Sequence, residues 1–199
     1  MFYPLDSLGL FFQGLVVNRY LASGTTGRSL RVVQTRDLDE LYVSLSLDVF
    51  SLEVPNLSRY SLQIGDVVMT VRGSSQKVSV VNGGVVGAIA GQNLAVFRPS
   101  LTPKDSPVPI NPLFLAVLLR SQWFAASLSR VYRQSTATRS LNLKQLRQME
   151  VPVPSLEVQQ DLATLFLATE QFQLATLQSV VSRQRLAELT LSKVLGEAP

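Results

Sequence analysis

Over the first hundred or so residues the apolar positions fall in short β-type runs, each closed by glycine or by polar turn residues. Leu30–Val33, Gly65–Val71, Val78–Val81, Val85–Ala90 and Asn93–Phe97 read as strands of a twisted β core, with Asn82-Gly83-Gly84 as a turn that tolerates positive φ. The period then lengthens. After Asn111-Pro112, a cap followed by proline at the first helical position, Leu113, Phe114, Val117, Leu118 and Phe124 recur at helical spacing and predict a helix to about Val131. A shorter helix is predicted from Asn142 to Met149, with Asn142 as its cap.

Pro152 and Pro154 cannot lie inside a helix, because each lacks an N–H and pushes its predecessor toward extended backbone. A straight, extended corner is expected there. Ser155 is then a good N-cap, with Glu157 and Asp161 favourably placed at the positive end of a helix dipole. From Ser155 to Leu195 neither proline nor glycine interrupts, so one helix of roughly 60 Å is predicted, about twice the diameter of a small domain. Leu162, Phe166, Leu177, Val180, Ala187, Leu191 and Val194 lie near one face, and Leu165, Phe172 and Leu186 widen the stripe. Thr169, Thr176 and Arg183 interrupt every strict heptad register. A helix this long calls for a partner, and Leu162, Phe166, Leu177, Val180 and Leu191 are its expected contact residues. The expected fold class is α+β: residues 1–150 form a twisted, mainly-β domain with flanking helices, and residues 151–199 form the proline corner and a long coiled-coil-type helix.

Composition narrows the chemistry. With 199 residues, 46% of them hydrophobic, the chain can bury a sizeable core. No run of eighteen uncharged apolar residues and no basic region ahead of a hydrophobic segment is present, so a cytoplasmic protein without membrane contact is expected. It has no cysteine and no histidine, which removes disulfides, thiolate zinc sites and the commonest general base and metal ligand. No metal, cofactor or catalytic residue is expected. A hydrolase built on serine and lysine would need a lysine beside a serine, and nothing in the sequence places one there.

Charge is uneven. Residues 1–150 hold 15 Lys and Arg against 9 Asp and Glu, whereas residues 151–199 hold 3 against 5. Twelve of the 15 cations are arginine, whose planar fork suits phosphates and base edges. Two segments concentrate polar and cationic side chains at turns and strand ends: Thr25, Thr26, Arg28, Arg31, Gln34 and Arg36, then Arg72, Gln76 and Lys77. Arginine and glutamine make bidentate contacts to guanine and adenine in the major groove, while threonine and lysine suit phosphates. These nine are the expected DNA contacts. The phosphate-loop, dinucleotide and GXXG patterns suggested by Gly24-Thr25-Thr26-Gly27, Gly27-Arg28-Ser29 and Gly83-Gly84-Val85-Val86-Gly87 fail on spacing or context.

Several stretches together resemble half of a specificity subunit of a type I restriction-modification enzyme. They are Leu62-Gln63-Ile64-Gly65-Asp66-Val67-Val68 followed by Arg72-Gly73, the segment from Gly87 to Pro99, Asn111-Pro112-Leu113-Phe114-Leu115, Leu141-Asn142, and Val151 to Gln160. The proline corner before a long helix is the most specific of these. The resemblance implies a target recognition domain followed by a conserved spacer helix, with no catalysis of its own. It also implies partners: double-stranded DNA, an adenine-methylating modification subunit and a restriction subunit. One domain and one helix stand where the family has two of each, which implies either a half-subunit that dimerises or a fragment or relic; the unpaired long helix favours the first, so a homodimer reading a bipartite, palindromic site is expected. The competing expectation is an assembly or decoy protein that captures a methyltransferase or specificity subunit through Phe166, Leu177 and Leu191, without binding DNA.

Overall fold

The computed structural model describes residues 1–22, 27–73, 75–100, 106–128, 132–133 and 140–196. Two of the expected DNA contacts, Thr25 and Thr26, lie outside them. The chain divides into two compact units, Met1–Ala163 and Thr164–Pro199. The division falls inside the last helix, past the proline corner, because the corner and the helix's first turns are tied into the first unit.

The strands of the first unit are β1 (Phe2–Pro4), β2 (Gly9–Gln13), β3 (Arg28–Val33), β4 (Asp48–Leu52), β5 (Val67–Thr70), β6 (Val78–Val80), β7 (Ile89–Ala90), β8 (Leu94–Pro99), β9 (Tyr132–Arg133), β10 (Ser140–Leu141) and β11 (Glu150–Pro152). Its helices are α1 (Leu57–Tyr60), α2 (Pro112–Arg120), α3 (Gln122–Leu128) and α4 (Leu143–Arg147), and α5 (Leu156–Leu195) continues into the second unit. Strands β2, β8, β5 and β6 form an antiparallel sheet in that order, while β4, β3 and β7 form a second sheet in which β3 and β7 run parallel. Every residue of β5 is buried, which explains why Val67-Val68-Met69-Thr70 reads as an unbroken run rather than an alternation.

The sequence signals hold best where they are local. Asn111 Oδ1 accepts from the backbone N–H groups of Leu113 and Phe114, and Asn142 Oδ1 from that of Lys144, so both predicted caps form. The single helix expected from Asn111 onward is instead two. Ser121 has extended backbone, its hydroxyl donates to Leu118 O, and it accepts from Phe124 N, closing α2 and opening α3 in one residue. The strand expected over Val85–Ala90 is also shorter. Gly83–Val85 form a 3-10 turn capped by Asn82, Gly87 turns the chain at φ +80, and only Ile89–Ala90 reach the sheet.

The proline corner is extended, as its composition requires, and it gains a partner that no local signal announces. β11 pairs antiparallel with β1, Phe2 opposite Pro152 and Pro4 opposite Glu150. In a two-stranded ribbon a proline can turn its missing donor outward, so Pro152 costs no ladder bond. Helix α5 begins at Leu156 and runs 40 residues without a break, about 60 Å. Within the second unit, Thr169, Thr176 and Thr190 each return a hydroxyl bond of 2.8 Å to the carbonyl four residues back. Two of the three residues that interrupt a heptad register, Thr169 and Thr176, are thereby satisfied within the helix itself.

Candidate nucleic-acid interface

A cleft of about 440 Å³ opens where the β3–β4 ribbon meets the turn between β7 and β8. Its floor is apolar, with Val17, Val32, Phe50 and Leu94, and its polar lining is rich in amides: Asn18, Gln34, Gln92 and Asn93, joined by Thr35 and Arg36. The register explains the floor. Val32 and Leu30 share one face of β3, Phe50 stands opposite Leu30, and Asp48 stands opposite Val32.

The turn that closes the cleft is anchored on every side. Gly91 N donates to Val33 O at 2.9 Å, Gly14 N to Leu94 O at 2.9 Å, and Leu15 N to Ala90 O at 2.8 Å. Gly14 lies so close that a Cβ there would sit 2.1 Å from Gly91 O, so only glycine lets the two backbones meet. Asn93 O accepts from both Val71 N at 2.8 Å and Arg72 N at 3.3 Å, which fastens the Arg72 loop to the cleft-lining turn. The Arg72 segment thus meets the cleft-lining turn through its backbone, and among the described residues none of its side chains lines the cleft.

Where the chain leaves β3, Gln34, Thr35, Arg36 and Asp37 form a tight 3-10 turn. Gln34 N donates to Asp37 Oδ2 at 2.7 Å, and Asp37 N donates to Gln34 O at 3.0 Å. Burial raises the Asp37 carboxyl above its ordinary value, and the Gln34 amide bond and the Arg36 charge act in the opposite direction. Gln34 Nε2 donates to Asp48 Oδ2 at 2.9 Å, and Arg36 Nη2 donates to the same oxygen.

The nine expected contacts therefore separate. Gln34 and Arg36 line the cleft, Arg72 is exposed and joins the cleft-lining turn only through its backbone N–H, and Arg28 is exposed on the same face of β3 as Val32. Arg31 leaves the opposite face, where its guanidinium donates to Gly84 O and, at 3.0 Å, to Val86 O. Gln76 Nε2 donates to Leu119 O in the last turn of α2, and Lys77 pairs with Asp39. These three serve contacts inside the domain. Asn18, Gln92 and Asn93 were missed by the sequence reading. The local signal for Gln92 and Asn93 is an amide pair after Gly91, whose value appears only when the turn is seen beside Gln34, and Asn18 has no such signal.

On α5, Leu162 is half-buried in the first unit, while Phe166, Leu177, Val180 and Leu191 are about half exposed or more in the second. At 100° per residue these positions fall within an arc of about 60°, so the stripe expected from the sequence is a real, uncovered helix face. Among the described residues no helix is long and apolar enough to cross a membrane, and no cluster of three or more acidic residues could hold a metal ion.

A family model described as "Type I restriction modification DNA specificity domain" matches residues 35–178. The chain belongs to that family. Among curated proteins, this specificity domain is 26% identical over 120 residues to a putative type I restriction enzyme MjaX specificity subunit from Methanocaldococcus jannaschii, covering 59% of this chain and 27% of that one. Its fold is that of the HsdS subunit from Thermoanaerobacter tengcongensis, with a TM-score of 0.66 at 16% identity over 99% of this chain and 48% of the other. A chain from a structure of type I R-M complex assembly and conformational transition gives a TM-score of 0.64 at 19% identity, covering 98% and 44%. The type I S subunit from M. genitalium gives 0.54 at 15% identity, covering 93% and 42%. The specificity domain spans less than half the length of each of these relatives.

Proposed function

We propose that the first unit reads DNA sequence for a type I-like restriction-modification complex, and that α5 pairs with the same helix of a second copy. Membership of the specificity-domain family sets the class. The observation that carries the residue-level reading is the convergence of Gln34 and Arg36 on one amide-lined cleft, with the Arg72 backbone bonded to Asn93 in the turn that closes it. Amides and guanidinium groups are the side chains that distinguish bases in the major groove, and a rigidly anchored turn holds them without an ordering cost at each encounter. Arg28, on the same face of β3, is assigned to the phosphates. Arg31, Gln76 and Lys77 keep their intramolecular contacts and hold the domain in shape.

The domain contributes no chemistry. Methylation of adenine and any cleavage fall to the modification and restriction subunits it docks, in the cytoplasm where the target DNA lies. The homodimer is supported by the uncovered apolar face at Phe166, Leu177, Val180 and Leu191. Two antiparallel copies related by a twofold axis would carry identical domains and select a bipartite, palindromic site.

The test is selection of the full chain against a pool of randomised duplexes, followed by binding of Arg36→Ala and Arg72→Ala. Wild type enriches a split motif with matching halves. If Arg72 reads a guanine, its alanine variant relaxes one position by about 1–3 kcal/mol; if it contacts phosphate, binding weakens evenly and the salt slope falls by about 1. Enrichment of no motif refutes the recognition role, and unchanged affinity and preference remove Arg72 from it. A protein that binds no DNA yet co-purifies with a modification subunit would fit the assembly role instead.

A further inference from the structure

Asp48 opens β4 directly opposite Val32, one strand away from the point where Gln34 and Arg36 leave β3. A single oxygen, Oδ2, accepts from both of them. An ionised carboxylate accepts and never donates, so it dictates which end of the Gln34 amide faces it. The Gln34 side chain also accepts from the Asp37 N–H in the capping box that opens the turn, which leaves the second lone pair of its oxygen and its second N–H for another partner. That pair matches the N6 donor and N7 acceptor that adenine presents in the major groove. The same carboxylate neutralises Arg36 while it is unbound, lowering the pull of that charge on phosphates at any sequence.

The position is otherwise hard to account for. Arg36 is 62% exposed and Asp48 44%, and an ion pair so open to solvent adds little to stability. Its geometry matters more than its energy. Resting on the recognition role above, we propose that Asp48 is a positioning residue for specificity: it presets Gln34 to read an adenine and restrains Arg36 from indiscriminate phosphate binding. A lone glutamine at the end of a strand samples both amide orientations and several rotamers. Held between Asp48 on its nitrogen and the Asp37 N–H on its oxygen, it meets the base with the orientation already chosen.

The experiment uses the full chain and a pool of randomised duplexes, with wild type, Asp48→Ala, Gln34→Ala and the double variant selected in parallel. Gln34→Ala is expected to lose about tenfold preference at one adenine. Asp48→Ala should blur that same position, and the double variant should be no worse than Gln34→Ala alone, the signature of two residues acting as one unit. Asp48→Ala should also bind the unselected pool more tightly, with steeper salt dependence. Thermal midpoints of the variants serve as the control for folding. A wild-type motif retained by Asp48→Ala, or a blurred position that Gln34→Ala leaves alone, overturns the inference while the recognition role stands. Failure of wild type to enrich any motif overturns both.

Discussion

Replacing Gln159 tests how the proline corner is fixed to the recognition domain. This side chain is only 1% exposed, although it sits in the first turn of a helix whose neighbouring residues are mostly open to solvent. Its oxygen accepts from Asn111 N at 2.7 Å, and its amide nitrogen donates to Pro109 O at 3.2 Å and Pro154 O at 3.0 Å. One glutamine thereby joins the segment entering α2 to the corner entering α5. Gln159→Leu keeps most of the volume and removes all three bonds. Each of the three bonds contributes about 1 kcal/mol net, so a loss of at least about 3 kcal/mol is expected, the more so where the Asn111 N–H is left without an acceptor. For a chain of this length that lowers the thermal midpoint by about 6–12 °C. Gln159→Glu should be worse at neutral pH, because it sets carboxylate oxygen against two carbonyl oxygens, and should recover in part in acid. Urea unfolding followed by circular dichroism gives the stability, and hydrogen exchange at the Asn111 amide reports the bond itself. A Gln159→Leu protein within about 0.5 kcal/mol of wild type, with the Asn111 amide still protected, would refute this account of the corner.

Asp66, 1% exposed, accepts from Gln63 N at 2.8 Å and from Arg98 through Nε at 2.8 Å and Nη2 at 2.7 Å, so Asp66→Ala should cost about 3–5 kcal/mol in chemical denaturation. A cost below about 1 kcal/mol would mean that Arg98 finds other partners. For Asp37 the folded carboxyl holds its proton more tightly than the unfolded one, whose value is 3.8, so the group's contribution falls as pH rises from that point through the folded value. Asp37→Asn should flatten this decline in urea midpoints between pH 3.5 and 7, and an unchanged slope would assign it to other groups. If α5 pairs with a second copy, light scattering should give a mass near twice 21.9 kDa, and Leu177→Asp, at a position 62% exposed in the free chain, should return a folded monomer. A wild-type monomer at all concentrations would redirect that face to another protein.

The sequence alone determined what depends on neighbours along the chain. Asn111, Asn142 and Ser155 cap helices because a short polar side chain reaches backbone N–H groups two or three residues ahead, and Pro152 and Pro154 enforce an extended corner by sterics confined to adjacent residues. The apolar stripe of α5 follows from helical geometry, and it remains uncovered at Phe166, Leu177, Val180 and Leu191. Membership of the specificity-domain family was legible in the same way, through short motifs set in order. Tertiary structure decided which polar residues can act together. Arg31 and Gln34 lie three positions apart, yet strand alternation sends Arg31 to the carbonyls of Gly84 and Val86 while Gln34 turns to the cleft. No local pattern fixes that choice, because the face a strand residue occupies depends on pairing with β4 and β7, whose residues are distant in sequence. The joining of Arg72 to Asn93, the burial of Gln159 and the shared hold of Asp48 on Gln34 and Arg36 are decided likewise by bonds between distant segments, which exist only once the two sheets have formed.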